Sequence, residues 1–142
     1  MLKTGFQFKP TAEFMGKIIV NVVVSNSSND QNKISFDALV DTGATFLTLP
    51  SIWKTKLGDL EVLEEVELEL ATGEIASGEI CGPVRIKIGE FRTIIGEVLF
   101  MEMEADCDGN YEPLISYLPL AAIPAGVDML NHRLFKVKAI VK

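Results

Sequence analysis

Histidine and cysteine are almost missing from this chain, which carries one of the first, His132, and two of the second, Cys81 and Cys107. A serine triad or a cysteine dyad would have to use that single imidazole, and no nucleophile-elbow pattern accompanies it. The two cysteines stand in no metal-ligand spacing and read as free thiols of a reducing compartment. The Glu65, Glu67, Glu69 ladder lacks the Gly-bearing loop of a calcium site and reads as a solvated strand face. A Gly-rich phosphate loop is also lacking. No metal and no other cofactor is expected.

Positive charge is scarce as well. Lys and Arg number 13 against 20 Asp and Glu, a net charge of −7. The cations are scattered, which argues against a nucleic-acid surface. No apolar run approaches the roughly 20 residues of a membrane helix. The stretch from Leu118 to Val127 is short and broken by Pro119 and Pro124, and Met1 to Phe6 lacks the apolar centre of a signal peptide. These absences predict a soluble, cytoplasmic protein with no membrane or nucleic-acid partner.

What the chain does have is apolar content, 48% of its 142 residues. A chain of this length makes one domain and buries roughly 68–70% of its extended surface, enough for a core without staples. Residues 1–15 show no period and read as an N-terminal extension; 16–142 read as the domain. Gly16 to Val24 is β-branched, a strand with mostly buried faces. Ser25 to Asn32 reads as a long turn cluster. Ile34, Phe36, Ala38 and Val40 alternate with polar neighbours up to Asp41. Phe46 to Leu49 is a strand stopped by Pro50, and Ser51 to Gly58 suits one or two helical turns, with Ser51 as cap and Gly58 as stop.

Val62 to Leu70 places Val66, Leu68 and Leu70 on one face. Ala71-Thr72-Gly73-Glu74 is a tight turn with Gly73 at positive φ, after which Ile75 to Ile80 returns. Further strands follow at Pro83 to Ile88 and Phe91 to Met101. An acidic loop, Glu102 to Pro113, leads to Leu114-Ile115-Ser116, and a short helix is expected over Leu120 to Ile123. The class is all-β, a closed or sandwich-like barrel with one or two short helices.

One stretch organises the rest. An apolar strand runs into Asp41-Thr42-Gly43, placing a carboxylate where the backbone must turn. Gly43 permits a tight bend, and the Thr42 hydroxyl can bond backbone or a neighbouring chain. Alone, the tripeptide would suit an Asx turn. In context, Ala38-Leu39-Val40-Asp41-Thr42-Gly43-Ala44-Thr45 resembles the active-site motif of retroviral-type (retropepsin-like) aspartic proteases, closest to their small bacterial and archaeal members.

The resemblance implies an acid-protease-type barrel with one lobe per chain in a two-fold homodimer, acting on peptide or protein substrates. It makes Asp41 the catalytic carboxylate and Thr42, Gly43 and Ala44 its loop. It makes Ala71, Thr72, Gly73 and Glu74 the tip of a substrate-covering flap. Leu114, Ile115 and Ser116 are similar to the strand that braces the catalytic loop, with Ser116 standing where glycine is usual. Gly126 to Val137 looks like a closing hairpin turning at Asn131-His132.

The chemistry needs two carboxylates sharing one proton. Asp30, Asp37, Asp59, Asp106, Asp108 and Asp128 all lack a following Thr/Ser-Gly, so the second carboxylate is expected to be Asp41 of another copy. The alternative is a catalytically silent binding or dimerisation module of the same fold. Ser116 and the lack of tip glycines beyond Gly73 favour it.

Overall fold

The first strand, β1 (Ile19–Asn26), is rich in valine and isoleucine, which suit a pleated surface. The computed structural model describes residues 17–41, 46–69, 72–115 and 119–120, and the backbone of 125–128 and 133–136. The expected extension 1–15 and most of the expected helix after Leu120 lie outside the described residues. β1 buries one face rather than both: Val22 and Val24 are fully enclosed, whereas Ile19 is 48% exposed.

β2 (Asn29–Val40) follows almost at once, with Asn26 opposite Asn29 and only Ser27 and Ser28 between them. The long loop expected here is therefore a tight hairpin. Its cause is the buried Asn26 side chain. Oδ1 accepts from the Ser28 N–H at 2.9 Å and closes the turn. Nδ2 donates to the Leu57 and Asp59 carbonyls at 2.8 and 2.9 Å. Polar residues that usually compete with a ladder here secure one. Farther along β2, Ile34, Phe36 and Ala38 alternate inward as their period requires.

β3 (Leu47–Pro50) is buried throughout and leads into a 3-10 helix, Ser51–Leu57. Pro50, not Ser51, caps its start, and no side chain bonds there. Gly58 does end it, at φ 72, with its N–H on the Thr55 carbonyl at 3.2 Å. A Cβ at this position would meet Asn32 Nδ2 at 2.5 Å, so conformation and space both require glycine.

β4 (Glu61–Glu69) and β5 (Ile75–Ile88) form a long hairpin. β5 is one continuous strand where two were expected. A bulge between Cys81 and Val84 takes in Pro83, which supplies no ladder N–H, and the strand passes on. β6 (Ile94–Met101) starts later than expected, leaving Phe91 buried in the preceding turn with its N–H on the Ile88 carbonyl. β7 (Leu114–Ile115) is two residues long. β8 (Ala125–Asp128) and β9 (Arg133–Lys136) pair antiparallel as the expected closing hairpin; Asn131 and His132 lie outside the described residues.

Among the described residues, one seven-stranded sheet runs β1-β2-β7-β3-β6-β5-β4, and β5 returns to pair with β1 from Val22↔Ile88 to Asn26↔Val84. The sheet thus closes into a ring that leaves β4 outside. Leu47, Leu49, Ile86, Ile88, Phe100 and Ile115 fill the interior. Among the described residues no layer faces β4, so its expected buried face is only half-covered at Val66 and Leu68, and Val62 and Leu63 are exposed. No described helix is long and apolar enough to cross a membrane.

Two predictions follow from this packing. Asn26→Ala strands two carbonyls and an amide, and should lower stability by about 1–3 kcal/mol. A lower urea midpoint with an unchanged slope is the expected reading. The thiols should also separate. Cys81 is fully enclosed and burial pushes its thiol up, only partly offset by Lys54, while Cys107 is exposed. An alkylating reagent should modify Cys107 quickly and Cys81 only on unfolding; equal rates in the native protein would contradict the burial.

Candidate active site

β2 delivers Asp41 to a fixed place because bonds hold its end from both sides. Leu39 N–H donates to the Pro113 carbonyl at 2.9 Å, Val40 N–H to Ile18 at 2.8 Å, and Asp41 N–H to Ile115 at 2.8 Å. The register is parallel, Leu39↔Leu114 and Val40↔Ile115. On its other side β7 meets β3 antiparallel, with Thr48 opposite Leu114. β7 therefore straps together β2, which ends just before Asp41, and β3, which begins at Leu47. The Ile115 carbonyl belongs to a fully buried residue, where little water competes for it. Asp41 itself is half-buried, and a carboxylate in such surroundings interacts more strongly than one in bulk water.

The structure brings Asp41, Leu114 and Ile115 together. Thr42, Gly43 and Ala44 lie outside the described residues, as do Ser116 and Ala71. Thr72, Gly73 and Glu74 form the exposed tip of the β4–β5 hairpin. Gly73 has φ 88, and no atom lies within 4 Å of where its Cβ would be; the conformation, not crowding, selects glycine. The Thr72 hydroxyl donates to Glu74 Oε1 at 3.1 Å and accepts from the Glu74 N–H at 3.4 Å.

The root of this hairpin packs against the sheet, whereas its tip is exposed. A Cβ at Gly78 would meet Leu99 Cδ1 at 2.9 Å and the Phe100 carbonyl at 3.0 Å, so the root lies hard against β6. Lys54 Nζ donates to Glu79 Oε1 at 2.8 Å, tying the 3-10 helix to β5. That bond holds the Lys54 ammonium above its ordinary range. A raised lysine stabilises the fold fully below pH 10.5 and loses the contribution only as pH rises beyond it, so the tie is intact at neutral pH. Lys54 and Glu79 were not singled out from the sequence, since nothing local pairs residues so far apart. An open cleft of ≈ 640 Å³ lies against this root, with Glu65, Glu67, Glu79 and Glu102 in its wall. Among the described residues no cluster of His, Cys, Asp or Glu could hold a metal ion.

No family model matches the chain, and no curated protein does. Among solved structures, EIAV protease complexed with the inhibitor HBY-793 is similar, at a TM-score of 0.56 and 17% identity. The match covers 85% of this chain and 99% of that one. At such identity the likeness is one of architecture, and the narrower resemblance to small bacterial and archaeal members finds no support there. What this chain shares with a retroviral protease is its retropepsin-like fold.

Proposed function

We propose that the protein is an aspartic endopeptidase working as a homodimer, each copy supplying Asp41. The observation that carries this reading is the seating of Asp41. It directly follows β2 with its N–H on the Ile115 carbonyl, beside the β7 strap, in a fold similar to that of EIAV protease. Two carboxylates held about 3 Å apart across a two-fold axis cannot both ionise and share one proton. The ionised member takes a proton from water as the water oxygen attacks the scissile carbonyl carbon. The protonated member gives its proton to the carbonyl oxygen.

Thr42, Gly43 and Ala44 form the loop around the dyad, and the Thr42 hydroxyl bonds across the axis. Leu114, Ile115 and Ser116 brace it from behind. The hairpin closes on an extended peptide through Ala71, Thr72, Gly73 and Glu74, pivoting above the Lys54–Glu79 tie. The enzyme so described comprises residues 16–142, with 1–15 as an extension, and acts in the cytoplasm. A second reading, a silent binding or dimerisation module, is favoured by Ser116 in place of glycine and by Gly73 being the tip's single glycine.

Asp41→Asn distinguishes the two readings. It should abolish cleavage of an unstructured protein substrate while leaving circular dichroism and assembly unchanged, because Asn is nearly isosteric but cannot exchange the proton. Wild-type turnover by that variant would remove Asp41 from the mechanism; no pepstatin-sensitive turnover by the parent protein would favour the silent module. Sedimentation across a concentration series, run beside the assay, should show activity rising with the dimer fraction. Full activity in a demonstrated monomer would contradict a dyad built from two chains.

A further inference from the structure

The single tryptophan of the chain is only half-buried. Trp53, on the 3-10 helix, packs on Phe36 of β2 with ring centroids 5.3 Å apart and planes tilted by 44°. Tyr111 meets it edge-on at 6.1 Å, and Lys56 Nζ lies 5.7 Å from its centroid. This aromatic row stands beside an open strand edge. β2 pairs with β1 along its length but with β7 only at Leu39 and Val40, so no described strand takes its other edge between Lys33 and Asp37. Two clefts share Trp53 as a wall. One, ≈ 290 Å³, is bounded by Lys33, Ser35 and Lys56; the other, ≈ 480 Å³, by Phe36, Asp37 and Tyr111.

The first cleft is basic, with Lys33 and Lys56 in its wall, in a chain whose net charge is −7, while the second carries Asp37. Neither Lys33 nor Lys56 forms a salt bridge among the described residues. We propose that this edge of β2 is a docking surface for an extended segment of another protein carrying an acidic residue two positions from an aromatic one. Side chains two apart on an extended segment leave the same side about 6.6 Å from each other. The carboxylate enters the lysine-lined cleft, and the ring enters the second against Phe36, Trp53 and Tyr111. The segment's backbone follows the open edge, as in other strand-edge recognition. Trp and Tyr are among the side chains that most often dominate such contacts, and Trp53 and Tyr111 are both partly open here.

A second copy of this chain also has acid to offer, along β4. Seating β4 on the Trp53 face would join unlike patches, however, and such contacts build rings or open chains rather than the two-fold pair of the proposed dimer. At roughly 3.3 Å per residue the surface runs from Lys33, about 26 Å along the strand from Asp41, to Asp37, about 13 Å from it; it includes no residue of the catalytic reading and does not rest on that reading.

Trp53 reports on its own site, since no other tryptophan emits. The full chain would be titrated with acetyl-Gly-Glu-Gly-Phe-Gly-amide and with the same peptide bearing Lys for Glu. The acidic peptide should shift the emission saturably, less so at high salt, and the basic one should not. Lys33→Glu combined with Lys56→Glu, with circular dichroism unchanged, should weaken binding about tenfold or more. Trp53→Phe, read by calorimetry, should bind more weakly than the parent. Equal responses to the two peptides, or parental affinity in the double variant, would overturn the proposal. An emission shift that follows the chain's own concentration without peptide would also overturn it, by assigning the face to a second copy.

Discussion

Leu114 and Ile115 are only two residues of strand, yet they bind both ends of the segment that carries Asp41. Their parallel register with β2 fixes the Asp41 amide, and the antiparallel contact at Thr48 fixes where the chain re-enters the sheet. Each such hydrogen bond adds only about 0.5–1.5 kcal/mol net. Their importance is positional: with both ends pinned beside a buried Ile115, the carboxylate has few places to go. The strap in turn depends on the closed ring, because Ile115 belongs to the same cluster as Leu47, Leu49 and Phe100.

The β4–β5 hairpin is built on the opposite terms. Among the described residues β4 has a partner on one edge only and lies beyond the point where the ring closes, so it gains little from burial. Its glutamates guard an edge that would otherwise recruit other strands. At the root, the approach of Gly78 to Leu99 and Phe100 does more than the partly exposed Lys54–Glu79 pair, which is worth at most about 1 kcal/mol. A hairpin packed at its base and exposed at its tip belongs to the low-stability end of the molecule, where moving elements are drawn from.

Features set by neighbours in the chain were legible from the sequence alone. The alternation of Ile34, Phe36 and Ala38 fixed the inward face of β2, since side-chain direction reverses at every residue. Gly58 and Gly73 marked reversals needing positive φ. A family resemblance set Asp41-Thr42-Gly43 beside Leu114-Ile115-Ser116; of these, the Asp41 N–H donates to the Ile115 carbonyl.

Other features depended on distant partners. The polar run Ser25 to Asn32 reads as loop until Asn26 finds the carbonyls of Leu57 and Asp59, which no local rule supplies. β5 reads as two strands until the pairing of its far half with β1 carries it past Pro83. The apolar face of β4 reads as core, but burial requires a facing layer, and ring closure gave that layer to the other six strands. The sequence by itself determined which residues could turn inward and where the chain must bend. Only the tertiary structure decided which inward faces found cover, because that depends on pairings such as Val22 with Ile88, whose formation no local pattern encodes.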